Sequence, residues 1–151
     1  MKPIPVIAVF DVGKTNKKLF LFDQQYNIVF EKSARFNEIT DEDGDPCENV
    51  EALRLSLYES LQEVLEKKEF VVEAVNYSAY GASFVYVDKE GDVLTPLYNY
   101  LKKYPAPLHK KFYEDYGGEE KFAHQTASPV LGSLNSGLQL LPHEVREVKN
   151  I

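Results

Sequence analysis

Residues 4–11 form an apolar, largely β-branched run that ends on Asp11, two residues before a glycine. Its length and composition predict a strand, and its nearly continuous apolar character predicts burial on both faces. The next two runs narrow the topology further. A short polar break, Gly13-Lys14-Thr15-Asn16, leads into residues 18–23, which are again apolar and aromatic. Gln24-Gln25-Tyr26-Asn27 then separates these from a third run, residues 28–34. Three strands joined by connections this tight pair as an antiparallel meander.

Residues 36–48 are polar and acidic, with Gly44 and Pro46 as breakers, and read as a surface loop. Asn49 is placed to cap a helix running to about Lys68. Val50, Leu53, Leu57, Leu61, Val64 and Leu65 fall at helical spacing and give it one apolar stripe. Residues 71–77 and 83–88 read as two further strands, the second closed by the turn Lys89-Glu90-Gly91-Asp92. The expected architecture is therefore a mixed α/β layer: three meandering strands, then a helical crossover to a parallel partner. Beyond it, residues 94–107 read as an ordered loop and 108–116 as a short helix ending at Gly117-Gly118. Residues 126–129 open another loop, and residues 132–141 begin a helix. No closing element precedes Ile151, so the chain reads as a fragment of a domain.

Composition removes several classes of function. With 44% hydrophobic residues over 151 positions, one compact core is expected. The net charge is -7 and no Lys/Arg stripe with interleaved aromatics occurs, which argues against a nucleic-acid partner. Cys47 is the only cysteine, so no internal disulfide or cysteine metal site can form, and a reducing cytoplasm is the expected location. No stretch is long and apolar enough for a signal peptide or a membrane span.

The chemistry concentrates at residues 10–18. A strand delivers Asp11 to its end, where a carboxylate can order magnesium-bound water. Gly13 lets the backbone turn and approach a phosphate oxygen. Thr15 and Asn16 offer donors, and Lys18 brings charge at the start of the next strand. Phosphoryl transfer uses these residue types because it depends on positioning and charge stabilisation. The alternative is an ordinary β-turn with Asp11 capping a strand, and spacing alone leaves the two readings even. A P-loop is excluded, although Gly13-Lys14-Thr15 imitates its end. The position five before Gly13 is Ala8 rather than glycine, and a strand pattern comes after it where a helix is required.

Asp11-Val12-Gly13-Lys14-Thr15-Asn16-Lys17-Lys18, with an apolar strand ending at Asp23 after it, resembles the first phosphate motif of the FGGY carbohydrate kinases. The chain departs from the usual Asp-x-Gly-Thr-Thr/Ser-x-x-Lys/Arg form at Lys14. Residues 79–88, then Gly91 and Pro96-Leu97-Tyr98-Asn99-Tyr100, resemble the substrate-side segment of that family, nearest to rhamnulokinases. Thr126-Ala127-Ser128-Pro129 with Leu131-Gly132-Ser133-Leu134 is a third likeness.

The resemblance implies a ribonuclease-H-like (actin-like ATPase) mixed sheet with flanking helices, and ATP and Mg2+ as cofactors. By it, residues 1–151 are the N-terminal part of the first kinase domain. The catalytic Asp and the C-terminal nucleotide domain would lie outside them, the latter as a partner. The implied function is phosphorylation of a sugar or polyol hydroxyl. Asp11 would order metal and water, and Gly13, Lys14, Thr15, Asn16, Lys17 and Lys18 would contact phosphates. Tyr80, Gly81 and Asn99 would line the sugar pocket. Two other readings remain, a non-catalytic domain of the same fold and another phosphotransferase of the actin-like superfamily. Nothing in the sequence excludes a homo-oligomer.

Each pocket candidate also has a structural reading, Tyr80 as a core aromatic, Gly81 as a bend and Asn99 as a side chain bonded to its own loop, and the resemblance favours substrate contact at Gly81. The remaining candidates read as structural. His109, His124 and His143 are scattered without metal-site spacing. Asp41-Glu42-Asp43-Gly44-Asp45 resembles the start of a calcium loop, but the twelfth position is Ala52 rather than Glu, so a solvated acidic loop is expected.

Overall fold

A computed structural model of the chain describes residues 2–142. Three strands form the expected meander: β1 (Ile4–Val12), β2 (Lys17–Phe22) and β3 (Ile28–Ala34). β1 pairs antiparallel with β2, placing Phe10 opposite Leu19, Asp11 opposite Lys18 and Val12 opposite Lys17. β2 pairs antiparallel with β3. The β2–β3 turn is held by Asp23, whose Oδ1 accepts the N–H groups of Gln25 and Asn27, both at 2.9 Å.

Two very short strands come next, β4 (Ile39–Thr40) and β5 (Pro46–Glu48), before helix α1 (Val50–Glu66). Asn49 caps α1 as expected, its side chain accepting the Ala52 N–H at 2.9 Å. The chain then crosses to β6 (Phe70–Ala79), which lies parallel to β1 and completes the sheet order β3-β2-β1-β6.

The core lies between this sheet and α1. Val6, Ala8, Phe10, Leu19, Leu21 and Val64 are buried, with Val29, Phe30, Leu57, Leu61, Phe70 and Val72 packed around them. Each large apolar side chain so buried contributes about 1.5–3 kcal/mol. Burial alternates strictly along the second half of β1, so the expectation that this run is buried on both faces fails. Ile7 remains 41% exposed. Only the face carrying Val6, Ala8, Phe10 and Val12 meets the helix, and the face carrying Ile7 and Asp11 stays open. Leu65 also falls outside the core at 56% exposure, at the edge of the α1 stripe.

The reading of residues 36–48 as a surface loop is corrected. β5 pairs with β4 on one side and with β7 (Leu97–Tyr98) on the other, making a second small sheet that buries Cys47 and Leu97. The acidic loop is anchored too. Asp41 Oδ1 accepts the N–H groups of Asp43 and Asp45, while its Oδ2 takes the Lys102 ammonium. Lys102 also reaches Asp43 at 2.8 Å and Asp45 at 3.5 Å, so a lysine fills the centre of the acidic loop.

Residues 83–88 do not form the expected strand. They run into a tight turn at Asp88, with a lone bridge between Val87 and Val93 and no sheet to join. Near the C-terminal end, α2 (Ala106–Asp115) stops at Gly117 and Gly118, both at positive φ. A helix that the sequence pattern does not announce, α3 (Glu119–Thr126), then packs Phe122 among Phe112, Tyr113 and Tyr116. Residues 132–140 hold two 3-10 turns, Gly132–Leu134 and Ser136–Gln139, and α-helical conformation begins only at Leu141. His143 lies outside the described residues.

Candidate functional site

β1 and β6 are adjacent and parallel, and their last register pair is Val12 with Ala79. The segments that leave them therefore emerge side by side at the carboxyl ends of the strands, where open α/β sheets commonly bind ligands. One is the hairpin turn 13–16. The other is residues 80–82. The Tyr80 N–H donates to the Val12 C=O at 3.0 Å and ties them together.

In the hairpin, the Gly13 N–H donates to the Asn16 C=O at 2.9 Å and closes the turn. A Cβ at Gly13 would sit 2.8 Å from that carbonyl oxygen, so the turn as built admits only glycine. At its tip, the Lys14 and Thr15 N–H groups donate to no protein acceptor among the described residues. Asn16 Oδ1 accepts Arg35 Nε at 2.6 Å. Asp11 is exposed and shares the open sheet face with Lys18, its cross-strand partner.

Lys17 and Lys18 take opposite faces of β2, and Lys14 sits in the turn before it. Lys18 lies on the open face, 2.8 Å from Glu31. Lys17 lies on the face of Leu19 and Leu21 and is only 5% exposed. Its ammonium donates to Glu48 Oε2 at 2.9 Å and to the Lys14 C=O at 2.8 Å. Lys14 reaches Glu48 Oε1 at 3.2 Å and also pairs with Glu38. Burial pushes the Lys14 amine down, but hydrogen bonds from it to Glu38 and Glu48 outweigh this and hold its pKa above the usual lysine value. Glu48 is itself 5% exposed. Sequence reasoning missed it, because a lone glutamate after a cysteine carries no spacing signal.

On the second segment, Tyr80 is half-buried and its ring lies 6.1 Å from that of Tyr100. Desolvation, and after it the Glu48 charge, pushes the Tyr80 hydroxyl pKa up. Gly81 is exposed, and nothing lies within 4 Å of where its Cβ would be. The chain bends at Gly81 as expected and at Ala82, where φ is 62. Ser83 Oγ donates to the Tyr98 C=O at 3.1 Å, which brings residues 98–100 against this segment. Asn99 Oδ1 accepts the Leu101 N–H at 2.9 Å and so stabilises its own turn. The same side chain lines a cavity of about 60 Å³ with Tyr98, Lys102, Tyr104, Ser133 and Gln139.

Among the described residues no cluster of three His, Cys, Asp or Glu side chains is arranged to hold a metal ion. Asp11 is the carboxylate that the β1 strand end offers beside the hairpin. That donor set fits a cation held chiefly by water and phosphate oxygens, not one caged by protein. No helix among the described residues is long and apolar enough to cross a membrane.

No protein-family model matches the chain. No curated protein sequence matches it either. Solved structures do. A xyloylose kinase from Brucella ovis superposes with a TM-score of 0.71 at 16% identity, over 95% of this chain and 30% of that one. The Plasmodium falciparum glycerol kinase with ADP gives 0.64 at 17% identity, over 76% and 24%. The ligand-bound xylulose kinase from Lactobacillus acidophilus gives 0.62 at 20% identity, over 81% and 24%. The chain spans about a quarter to a third of the length of these kinases. The meander, the crossover helix and the parallel fourth strand are thus the fold shared with carbohydrate kinases of the actin-like ATPase type.

Proposed function

We propose that this chain forms one wall of the phosphate site and part of the sugar pocket of an ATP-dependent carbohydrate kinase. The observation that carries the reading is the junction at the ends of β1 and β6. There a glycine-dependent hairpin and residues 80–82 leave adjacent parallel strands and are joined by the Tyr80–Val12 hydrogen bond. The fold and the junction together favour this over an ordinary turn.

In this reading the hairpin residues Gly13, Lys14, Thr15, Asn16, Lys17 and Lys18 make the phosphate wall, Lys17 by holding the loop backbone at the Lys14 carbonyl, and the Lys14 and Thr15 amides at the tip are the donors it offers. Lys18 adds charge on the open face. Asp11 orders the water shell of magnesium, which would supply charge neutralisation to the transferring phosphoryl group. Tyr80 and the open space over Gly81 face the acceptor sugar or polyol, with Asn99 behind them. The non-catalytic alternative keeps the same fold and loses the metal dependence.

The test is titration of the chain with ATP, with and without magnesium, monitored by backbone amide shifts. Magnesium-dependent shifts at Gly13, Thr15 and Asn16 support the reading, and Asp11→Asn should abolish the dependence on the metal. In a protein carrying the remaining kinase fold, Asp11→Asn should lower kcat far more than it weakens sugar binding. Shifts scattered away from the hairpin, or equal with and without magnesium, overturn the proposal.

A further inference from the structure

Cross-strand partners share a sheet face, so Asp11 and Lys18 point to one side of the β1–β2 hairpin and Val12 and Lys17 to the other. A polyphosphate lying against Asp11 and the hairpin tip meets Lys18. It does not meet Lys17, whose ammonium is buried with Leu19 and Leu21 and bonded to Glu48. Lys14 is drawn to that second side as well, because the same Glu48 carboxylate takes both ammonium groups, one on each oxygen. Lys17 further donates to the Lys14 carbonyl, which fixes the loop backbone. Glu48 is itself held firmly in place. Its backbone pairs with Leu97 in the small sheet, and the next residue, Asn49, caps α1.

We propose that Glu48 is a positioning residue: it commits Lys14 and Lys17 to the protein, so that the hairpin's amides and Lys18, and not those two lysines, receive the phosphates. A buried carboxylate between two lysines lowers the positive charge of the hairpin and makes bare anions poor ligands. With Lys14, Lys17, Lys18 and Arg35 set against Glu31, Glu38, Glu48 and Asp11, the hairpin carries no net positive charge to offer a polyphosphate. In this proposal a divalent cation supplies the missing neutralisation. Removing Glu48 frees Lys17 of its carboxylate, leaves Lys14 on Glu38 alone, and so adds positive charge that relaxes the need for that cation. The same carboxylate couples this half of the site to the other, since its charge is felt by Tyr80.

The first arm of the test needs no ligand. Amine-specific labelling of the whole chain, read by mass spectrometry, should show Lys17 and Lys14 reacting slowly against the exposed Lys89 as internal standard. Glu48→Gln should raise the Lys17 labelling rate by about tenfold, the scale on which loss of a charge-assisted hydrogen bond acts, and that of Lys14 by less, because Lys14 keeps its pair with Glu38. Unchanged rates in that variant overturn the proposal. The second arm rests on the phosphate-wall reading and uses tripolyphosphate as probe. It should slow labelling of Lys18 but not of Lys14 or Lys17, and only with magnesium present. In Glu48→Gln it should bind without magnesium and with a steeper dependence on salt. Protection of Lys14 or Lys17 in the wild type equal to that of Lys18 also overturns the proposal. If tripolyphosphate protects no lysine, the phosphate-wall reading fails, while the first arm still decides the role of Glu48. Because Glu48→Gln leaves Lys17 buried without its partner and can unfold the chain, the pair variant Lys17→Met/Glu48→Leu is measured beside it. That variant keeps the fold by apolar packing, and in it Lys14 should label faster than in the wild type.

Discussion

At Gly13 a single methyl group has the largest foreseeable effect. A Cβ there meets a backbone oxygen at 2.8 Å, and backbone does not swing aside as a flexible side chain would. Gly13→Ala should destabilise the chain by about 1–3 kcal/mol, the usual cost of forced overpacking, seen as a lowered Tm with the hairpin amides shifted. Gly81 behaves in the opposite way. Its φ is ordinary and its Cβ position is empty, so Gly81→Ala should change stability by no more than about 0.5 kcal/mol. That makes it a clean probe of the proposed sugar pocket. A loss of sugar binding with unchanged Tm supports close approach at this position, and unchanged binding removes Gly81 from the site. The sequence points to Gly81 as the bend, and the chain bends there and at Ala82, which takes the left-handed conformation. Glycine signals permission for positive φ, whereas the position that adopts it is set by where the chain turns.

Among the elements, the acidic loop and Lys102 carry a pH dependence whose sign is fixed. Burial pushes the Asp41 carboxyl up, but the Lys102 ammonium and the N–H groups of Asp45 and Asp43 outweigh it and hold it below the usual carboxylate range. A group whose pKa is depressed on folding stabilises fully above its unfolded value, about 3.9 for Asp, and loses that contribution as pH falls through the folded value. The stability difference between the wild type and Asp41→Asn should therefore be constant from neutral pH down to about 5 and shrink below about 4. Urea melts across that range check it, and a gap that widens on acidification contradicts the assigned pairing. This loop is also the least legible element. β1, β2 and β3 announce themselves through apolar runs broken by turns, α1 through helical spacing, and Asn49 caps its helix where the residue type says it should. β4 and β5, by contrast, are two and three residues long, and the partner strand β7 lies some fifty residues onward. The burial of Asp41 depends on Lys102 in that distant segment, which no window of sequence reveals. The candidate site divides in the same way. Gly13 and Asp11 are legible in the motif, but the pairing of Lys14 and Lys17 with Glu48 depends on the face of β2 that Lys17 takes and on a strand too short to read.

For the whole molecule, the proposed function sets the governing constraint, which is what phosphoryl transfer demands. Nucleotide, metal and acceptor must be held in line, and the rate advantage of that arrangement disappears when one wall of the cleft is missing. The chain supplies the junction of β1 and β6 and an open sheet face, and spans about a quarter to a third of the kinases it superposes on. Asp11 is the carboxylate at the hairpin, and in the proposed reading it orders a metal and does not take a proton from a sugar. The resemblance assigns that second carboxylate to a later segment. The 151-residue chain alone should therefore bind magnesium-complexed polyphosphate weakly and transfer none of it. Its net charge of -7 works against anion binding, so what binding there is should depend on the local hairpin and on magnesium. A coupled ADP-release assay with ATP, magnesium and a panel of aldoses, ketoses and polyols makes the distinction. Release at background rate with every sugar is the expected result. Sugar-dependent release on the order of 1–100 per second, the range of working kinases, would mean that the general base lies within these residues, and the assignment of Asp11 to metal ordering alone would have to be abandoned.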